Sequence, residues 1–115
     1  MKGDLSYLLI WLSVTWTLAA FGEEIAYRGY FLKRNIEFLG KAKIGWVFGL
    51  ILTSVSFGFA HSYQGITGII GTGISACIFG ILFLAAGKRL WMPIIAHGVD
   101  DTIGFTAIFL GLAIL

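Results

Sequence analysis

Long apolar stretches separated by short polar connections dominate the sequence. The first covers about residues 5–38, with its most apolar part ending at Phe21. Three more follow, over about residues 44–61, 66–86 and 91–115. Each approaches or exceeds the roughly 20 residues that an α-helix needs to cross a bilayer. The pattern therefore predicts an all-α fold, a polytopic membrane bundle of about four transmembrane helices.

Seven of the eight basic residues lie at or near two of the three connections and predict the orientation of the bundle. Those around the first connection are Arg28, Lys33, Arg34, Lys41 and Lys43, and those in the third are Lys88 and Arg89. The second connection, residues 62–64, carries no charge. Because Lys and Arg are enriched in cytoplasmic loops, we expect the first and third connections to face the cytoplasm. Four alternating crossings satisfy this arrangement.

Composition supports a membrane protein and argues against a nucleic-acid-binding protein or one stabilised by intrachain disulfides. Of the 115 residues, 58% are hydrophobic and 12% are charged, and the mean hydropathy is +0.92. The net charge of +2 is too small to indicate nucleic-acid binding, and the single Cys77 excludes an intrachain disulfide. We therefore expect one membrane-embedded domain over residues 1–115. The protein should cross the membrane several times, lie in the cell membrane if the source is bacterial, and have lipids as partners.

Glycines and other small residues are concentrated in the third apolar stretch. Ala76 and Gly80, for example, are four residues apart and share a helix face. Small residues at this spacing allow two helix backbones to approach closely in lipid. The stretch is therefore predicted to pack tightly against a neighbouring helix.

A cluster of three charged residues, Glu23, Glu24 and Arg28, lies inside the first stretch, where charge is costly. An ionisable group at membrane depth costs roughly 2.5–3.5 kcal/mol on insertion scales, so such groups are usually paired or functional. Residues four apart share a helix face, which predicts an ion pair between Glu24 and Arg28. Glu23 points to another face and is left free to act as a base. The alternative is an interfacial helix end whose charges face water and headgroups.

The two histidines of the chain lie at the ends of apolar stretches. His61 ends the second stretch, and His97 lies near the start of the fourth. An acidic partner can fix the tautomer of an imidazole, and the four-residue spacing favours Asp101 over Asp100 as the partner of His97. The alternatives are interfacial anchors or buried structural histidines, with Asp101 exposed near the membrane surface.

Counting along the helices indicates which of these side chains can meet. If the first connection turns near residues 39–42, both Glu23 and His61 lie about 25–30 Å from it at roughly 1.5 Å per residue. His97 lies only about 10–12 Å from the third connection. His97 can therefore meet Glu23 and His61 only if the third connection lies closer to their level than the first connection does, or if helices tilt.

Three motifs occur in order on successive predicted helices. They are Glu23-Glu24-x-x-x-Arg28, Phe57-x-x-x-His61 and His97-x-x-x-Asp101. Together they resemble the CPBP family, the CAAX-processing and bacteriocin-processing intramembrane proteases, also called the Abi family. The resemblance covers about residues 17–101. Members are usually longer at the N-terminal side, so we expect a minimal member or a fragment, completed by self-association or by additional helices.

The resemblance implies an intramembrane endopeptidase that hydrolyses a peptide bond in a membrane-associated protein or peptide. It implies that Glu23 and His61 activate the attacking water. It also implies that His97, with Asp101, stabilises the tetrahedral oxyanion. These are the catalytic roles that the structure is expected to accommodate.

The resemblance further implies that Arg28 holds Glu24 in place. A set of Glu23, His61 and His97 would also suit a zinc ion with an open water position. Because no His-Glu-x-x-His motif occurs, the sequence favours directly activated water and no cofactor, with a divalent metal such as zinc as the alternative.

Two non-enzymatic functions compete with this interpretation. A membrane scaffold or peptide-toxin immunity protein would keep the site for structural reasons. An ion or metal transporter would have polar residues through the depth of several helices, whereas here they lie in three short motifs. The clustering favours catalysis over transport.

Overall fold

The computed structural model describes residues 2–40 and 43–112, which form helices joined by short turns and contain no strand. The helices are α1 (Leu5–Phe38), α2 (Lys43–Ala60), α3 (Gly65–Ala85) and α4 (Trp91–Phe109). A single 3₁₀ turn, Ser62–Gln64, joins α2 to α3. The predicted all-α class and its four helices are confirmed.

The long helix α1 changes its winding where it carries the charged residues. Its ends, Leu5–Val14 and Lys33–Phe38, are α-helical. Between them, Thr15–Glu23 and Ile25–Leu32 are π-helical, with wider i→i+5 hydrogen bonding. π-Helical turns are rare and frequently occur at functional sites. The sequence predicted the helix but carried no signal for its change of winding.

Helix α4 ends earlier than predicted. It stops at Phe109, because Gly111 adopts φ +74° and its N–H donates to the carbonyl oxygen of Ile108 at 3.0 Å. A glycine in the left-handed region is a common way to end a helix. Residues 113–115 of the predicted fourth stretch lie outside the described residues, and so do Lys41 and Ala42 of the predicted first turn.

Helices α2 and α3 approach each other through glycine. A Cβ atom on Gly58 would lie 2.7 Å from the carbonyl oxygen of Ile69 and 3.3 Å from Cα of Gly73. Only a residue without a side chain allows this separation. The tight packing predicted for the third stretch is therefore present, with glycines on both helices.

Helix α4 packs against α1 in a similar way, close to one of the histidines. A Cβ atom on Gly98 would lie 2.4 Å from the ring of Trp16. The indole Nε1–H of Trp16 donates to Oγ1 of Thr102 at 3.1 Å. These contacts hold His97, the residue before Gly98, against the middle of α1.

The turn between α3 and α4 lies at the level of the C-terminal half of α1. A Cβ atom on Gly29 would lie 3.4 Å from Cδ1 of Leu90. Leu90 also packs against the buried core that includes Leu32 and Ile36. Along α1, this turn therefore lies nearer to Glu23 than the end of α1 does. This position allows His97 to reach the glutamate pair.

Within the described part of the chain, three helical stretches are long and apolar enough to cross a membrane. They are Leu5–Phe38, Lys43–Ala60 and Ser62–Ala85. Large apolar side chains on them face outward, for example Leu18 and Ile66, which are 68% and 75% exposed. Such surfaces suit contact with lipid. The structure thus supports a membrane protein, and a fourth crossing by α4, which carries two aspartates, stays a prediction.

Candidate active site

Side chains from all four helices meet around one cavity of about 350 Å³. Four of the predicted site residues line it: Glu23, His61, His97 and Asp101. The rest of the wall includes Trp11, Val14 and Leu18 of α1, Phe57 of α2, Thr72, Ser75 and Phe79 of α3, and Asp100 and Phe105 of α4. The cavity thus combines carboxylates and imidazoles with a wall in which polar and apolar side chains are mixed.

Glu24 and Arg28 lie behind the cavity and are completely buried. Nη1 of Arg28 lies 3.2 Å from Oε1 of Glu24, and its Nη2 donates to the carbonyl oxygen of Ala76 at 2.5 Å. The guanidinium carbon lies 5.1 Å and 5.6 Å from the ring centres of Phe57 and Phe79. A buried charge pair needs such additional partners to offset its desolvation. The ion pair expected from the four-residue spacing is present.

His97 connects the two glutamates to Asp101. Its Nδ1 lies 2.7 Å from Oε1 of Glu24, and because a carboxylate oxygen accepts, Nδ1 donates. Its Nε2 lies 3.6 Å from Oε2 of Glu23 and 3.4 Å from Oδ2 of Asp101. The ring stacks on Phe79 with 4.9 Å between centres and 12° between planes. His97 is therefore fixed in both position and orientation.

His61 directly follows α2 and is held in place through one of its ring nitrogens. Its Nδ1 lies 2.8 Å from the carbonyl oxygen of Phe57. A carbonyl oxygen can only accept, so Nδ1 carries the hydrogen, and in the neutral ring Nε2 keeps its lone pair. The ring also packs against Phe57 and Tyr63, with centres 4.6 Å and 5.8 Å apart. This tautomer allows His61 to accept a hydrogen bond through Nε2.

Sequence reasoning missed the partners that come from distant parts of the chain. Phe79 and the carbonyl oxygen of Ala76 belong to α3, which carries no charged residue and none of the three motifs with charged residues or histidines. The contact between Glu24 and His97 joins residues 73 positions apart. No local signal indicates such contacts. The favoured partner of His97, Asp101, does lie against the imidazole.

The donor atoms do not form a ready metal site. Within residues 2–40 and 43–112, no group of three His, Cys, Asp or Glu side chains is arranged to hold a metal ion. His97 uses Nδ1 for Glu24, while its Nε2 faces Glu23 and Asp101. The suggested zinc ligands, Glu23, His61 and His97, thus share a cavity without forming a ligand set.

Comparison with known proteins adds one finding. The family model described as Type II CAAX prenyl endopeptidase Rce1-like matches residues 5–103. No curated protein and no solved structure gave a significant match. The matched range includes Glu23, Glu24, Arg28, His61, His97 and Asp101.

Proposed function

The chain belongs to the Rce1-like family of type II CAAX prenyl endopeptidases, and on this premise we propose that it is an intramembrane endopeptidase. Its reaction is the hydrolysis of a peptide bond in a membrane-associated protein or peptide. The observation that carries the proposal is that Glu23, His61 and His97 line one cavity, although they come from separate parts of the chain. A site of this composition suits water-dependent acyl transfer.

In this mechanism Glu23 is the general base. Its side chain is 34% exposed and lines the cavity, whereas Glu24 is buried and already bonded to Arg28 and His97. Glu23 takes a proton from a water molecule while the water oxygen attacks the carbonyl carbon of the scissile bond. His61 accepts a hydrogen bond through Nε2 from the second O–H of that water, which keeps this hydrogen. Base catalysis of this kind contributes about 10²–10⁴-fold in rate.

His97 stabilises the oxyanion that forms on the substrate carbonyl. Its Nδ1–H is bonded to Glu24, so a proton on Nε2 makes the ring a cationic donor. Asp101, 3.4 Å from that nitrogen, orients the ring and balances its charge. When the intermediate collapses, the carbon–nitrogen bond breaks and Glu23 returns the proton to the leaving amine.

The water is activated directly by Glu23, and no cofactor takes part. Direct activation is favoured over zinc because Glu23, His61 and His97 do not form a ligand set among the described residues. The chain crosses the membrane four times, with its basic connections on the cytoplasmic side. Additional helices or a second copy of the chain complete the bundle around the cavity.

The full chain in lipid vesicles, supplied with labelled peptides in prenylated and unprenylated forms, tests this function. Mass spectrometry should detect a cleaved peptide bond, and His61→Ala and His97→Ala should each abolish cleavage. Chelation should leave the rate unchanged. Cleavage that survives both histidine substitutions would rule out the mechanism, and activity lost on chelation and restored by zinc would rule out direct activation. Peptide binding without cleavage would instead support a scaffold or immunity protein.

A further inference from the structure

A second, smaller pocket lies towards the C-terminal end of α1, with its first lysine ten residues beyond Glu23. It has a volume of about 80 Å³ and is lined by Lys33, Ile36, Glu37 and Lys88. At about 30 Å³ per water molecule, this space holds two or three waters. Two lysines from separate elements, α1 and the turn between α3 and α4, therefore reach a pocket large enough for a small anionic group.

The backbone at Lys88 is unusual. Among the described residues it is the only non-glycine with a positive φ, at +63°. This conformation costs most residues about 1–2 kcal/mol, and Gly or Asn would adopt it more easily. Its Nζ lies 5.0 Å from the ring centre of Trp46. The turn itself does not need a lysine at this position, so the side chain of Lys88 is a candidate for function.

The charge around the pocket is predominantly positive. Lys33 is half-buried, and its Nζ lies 5.8 Å from the ring centre of Phe83. Among the described residues of the wall, the one carboxylate is that of Glu37, which already forms a 2.7 Å ion pair with Arg34. The two lysine ammonium groups are thus left to attract a further anion.

We propose that this pocket binds the phosphate group of an anionic phospholipid. It lies at the basic end of the bundle, where the first and third connections carry the lysines and arginines. Anionic lipids of the cytoplasmic leaflet attract basic residues at that surface, and basic pockets between helices bind lipid headgroups. Trp46 beside Lys88 is a residue type typical of the membrane interface.

A lipid bound here would connect two elements of the catalytic cavity. Lys33 belongs to the helix that carries Glu23, and Lys88 belongs to the turn that leads into the helix of His97. The same phosphate chemistry is available from a lipid headgroup or from free phosphate. Binding of the lipid is expected to stabilise the packing of α4 against α1. This binding can be measured without peptide cleavage.

Thermal unfolding of the purified full chain in detergent tests the proposal. Titration with short-chain phosphatidylglycerol should raise the Tm, and short-chain phosphatidylcholine should not. Lys33→Gln and Lys88→Asn should each weaken the apparent affinity for phosphatidylglycerol about fivefold. Asparagine suits the positive φ, so Lys88→Asn removes the charge without straining the turn. Arg89→Gln, a matched loss of charge at an exposed neighbour outside the pocket, should retain the affinity.

The outcomes separate the sources of the ligand. A rise in Tm with phosphatidylglycerol alone supports a lipid headgroup site. An equal rise with inorganic phosphate supports the anion site and overturns its assignment to lipid. The proposed site is contradicted if phosphatidylcholine raises the Tm as strongly as phosphatidylglycerol. It is also contradicted if Arg89→Gln weakens phosphatidylglycerol binding as much as Lys88→Asn does.

Discussion

The two adjacent glutamates of α1 have different environments, and this difference determines their proposed roles. Glu24 is completely buried and bonded to Arg28 and His97. Glu23 lines the cavity and is partly exposed. A carboxylate held by two partners is suited to fixing an imidazole, whereas one that faces a cavity is suited to proton transfer. The assignment thus rests on contacts of individual side chains.

Replacing Arg28 should strongly destabilise the protein. Arg28→Gln leaves Glu24 buried without the guanidinium that pairs with it, a change that typically costs about 3–5 kcal/mol. The control is Arg34→Gln, which breaks the ion pair with Glu37 where the arginine side chain is 62% exposed. Exposed pairs contribute about 0–1 kcal/mol. Unfolding by denaturant in detergent measures both, and equal losses of stability would contradict the buried network.

Phe79 should affect catalysis through His97. Phe79→Leu keeps an apolar side chain but removes the ring that stacks on His97 and lies over Arg28. We expect kcat to fall by up to about 30-fold, since a desolvated cation–π contact contributes about 2 kcal/mol. KM should change little. Phe59→Leu, at an outward-facing position that is 61% exposed, should leave both parameters near wild type. A change confined to KM in Phe79→Leu would contradict the positioning role.

At the scale of elements, close contact between α2 and α3 depends on one glycine. Gly58→Ala would place a methyl group 2.7 Å from a backbone oxygen of α3, so the helices must separate. Gly71→Ala adds the same group where nothing lies within 4 Å, and alanine is favoured over glycine within a helix by about 0.5–1 kcal/mol. Thermal unfolding should therefore show a lower Tm for Gly58→Ala and an unchanged or higher Tm for Gly71→Ala. The reverse order would contradict this helix contact.

Hydrophobic patterning was sufficient to predict the four helices and most of their ends, because membrane helices must be both long and apolar. It predicted too long a final helix, since the effect of Gly111 depends on its backbone conformation rather than on hydropathy. It also gave no indication of the π-helical winding between Thr15 and Leu32. That winding changes hydrogen bonding within one helix while leaving the apolar pattern intact.

At the scale of the whole molecule, the sequence predicted the site residues as candidates but not their arrangement. Counting along helices placed Glu23 and His61 at one level, yet it left the position of His97 unsettled. Leu90 packs near Gly29, so α4 starts beside the C-terminal half of α1 rather than at its end. This position brings His97 to the glutamate pair. Such a contact depends on how helices distant in sequence pack together, which no single stretch encodes.

The central claim is that Glu23 is the base of a peptide-bond hydrolase. The most direct measurement is the cleavage rate of a labelled membrane peptide by Glu23→Gln. The matched control is Asp4→Asn, also a change from carboxylate to amide, at a helix N-cap where Oδ1 of Asp4 accepts from the N–H of Tyr7 and asparagine is an equally good cap. We predict a kcat lower by about 10²–10⁴-fold for Glu23→Gln and a rate near wild type for Asp4→Asn. Cleavage by Glu23→Gln at the wild-type rate would contradict the claim.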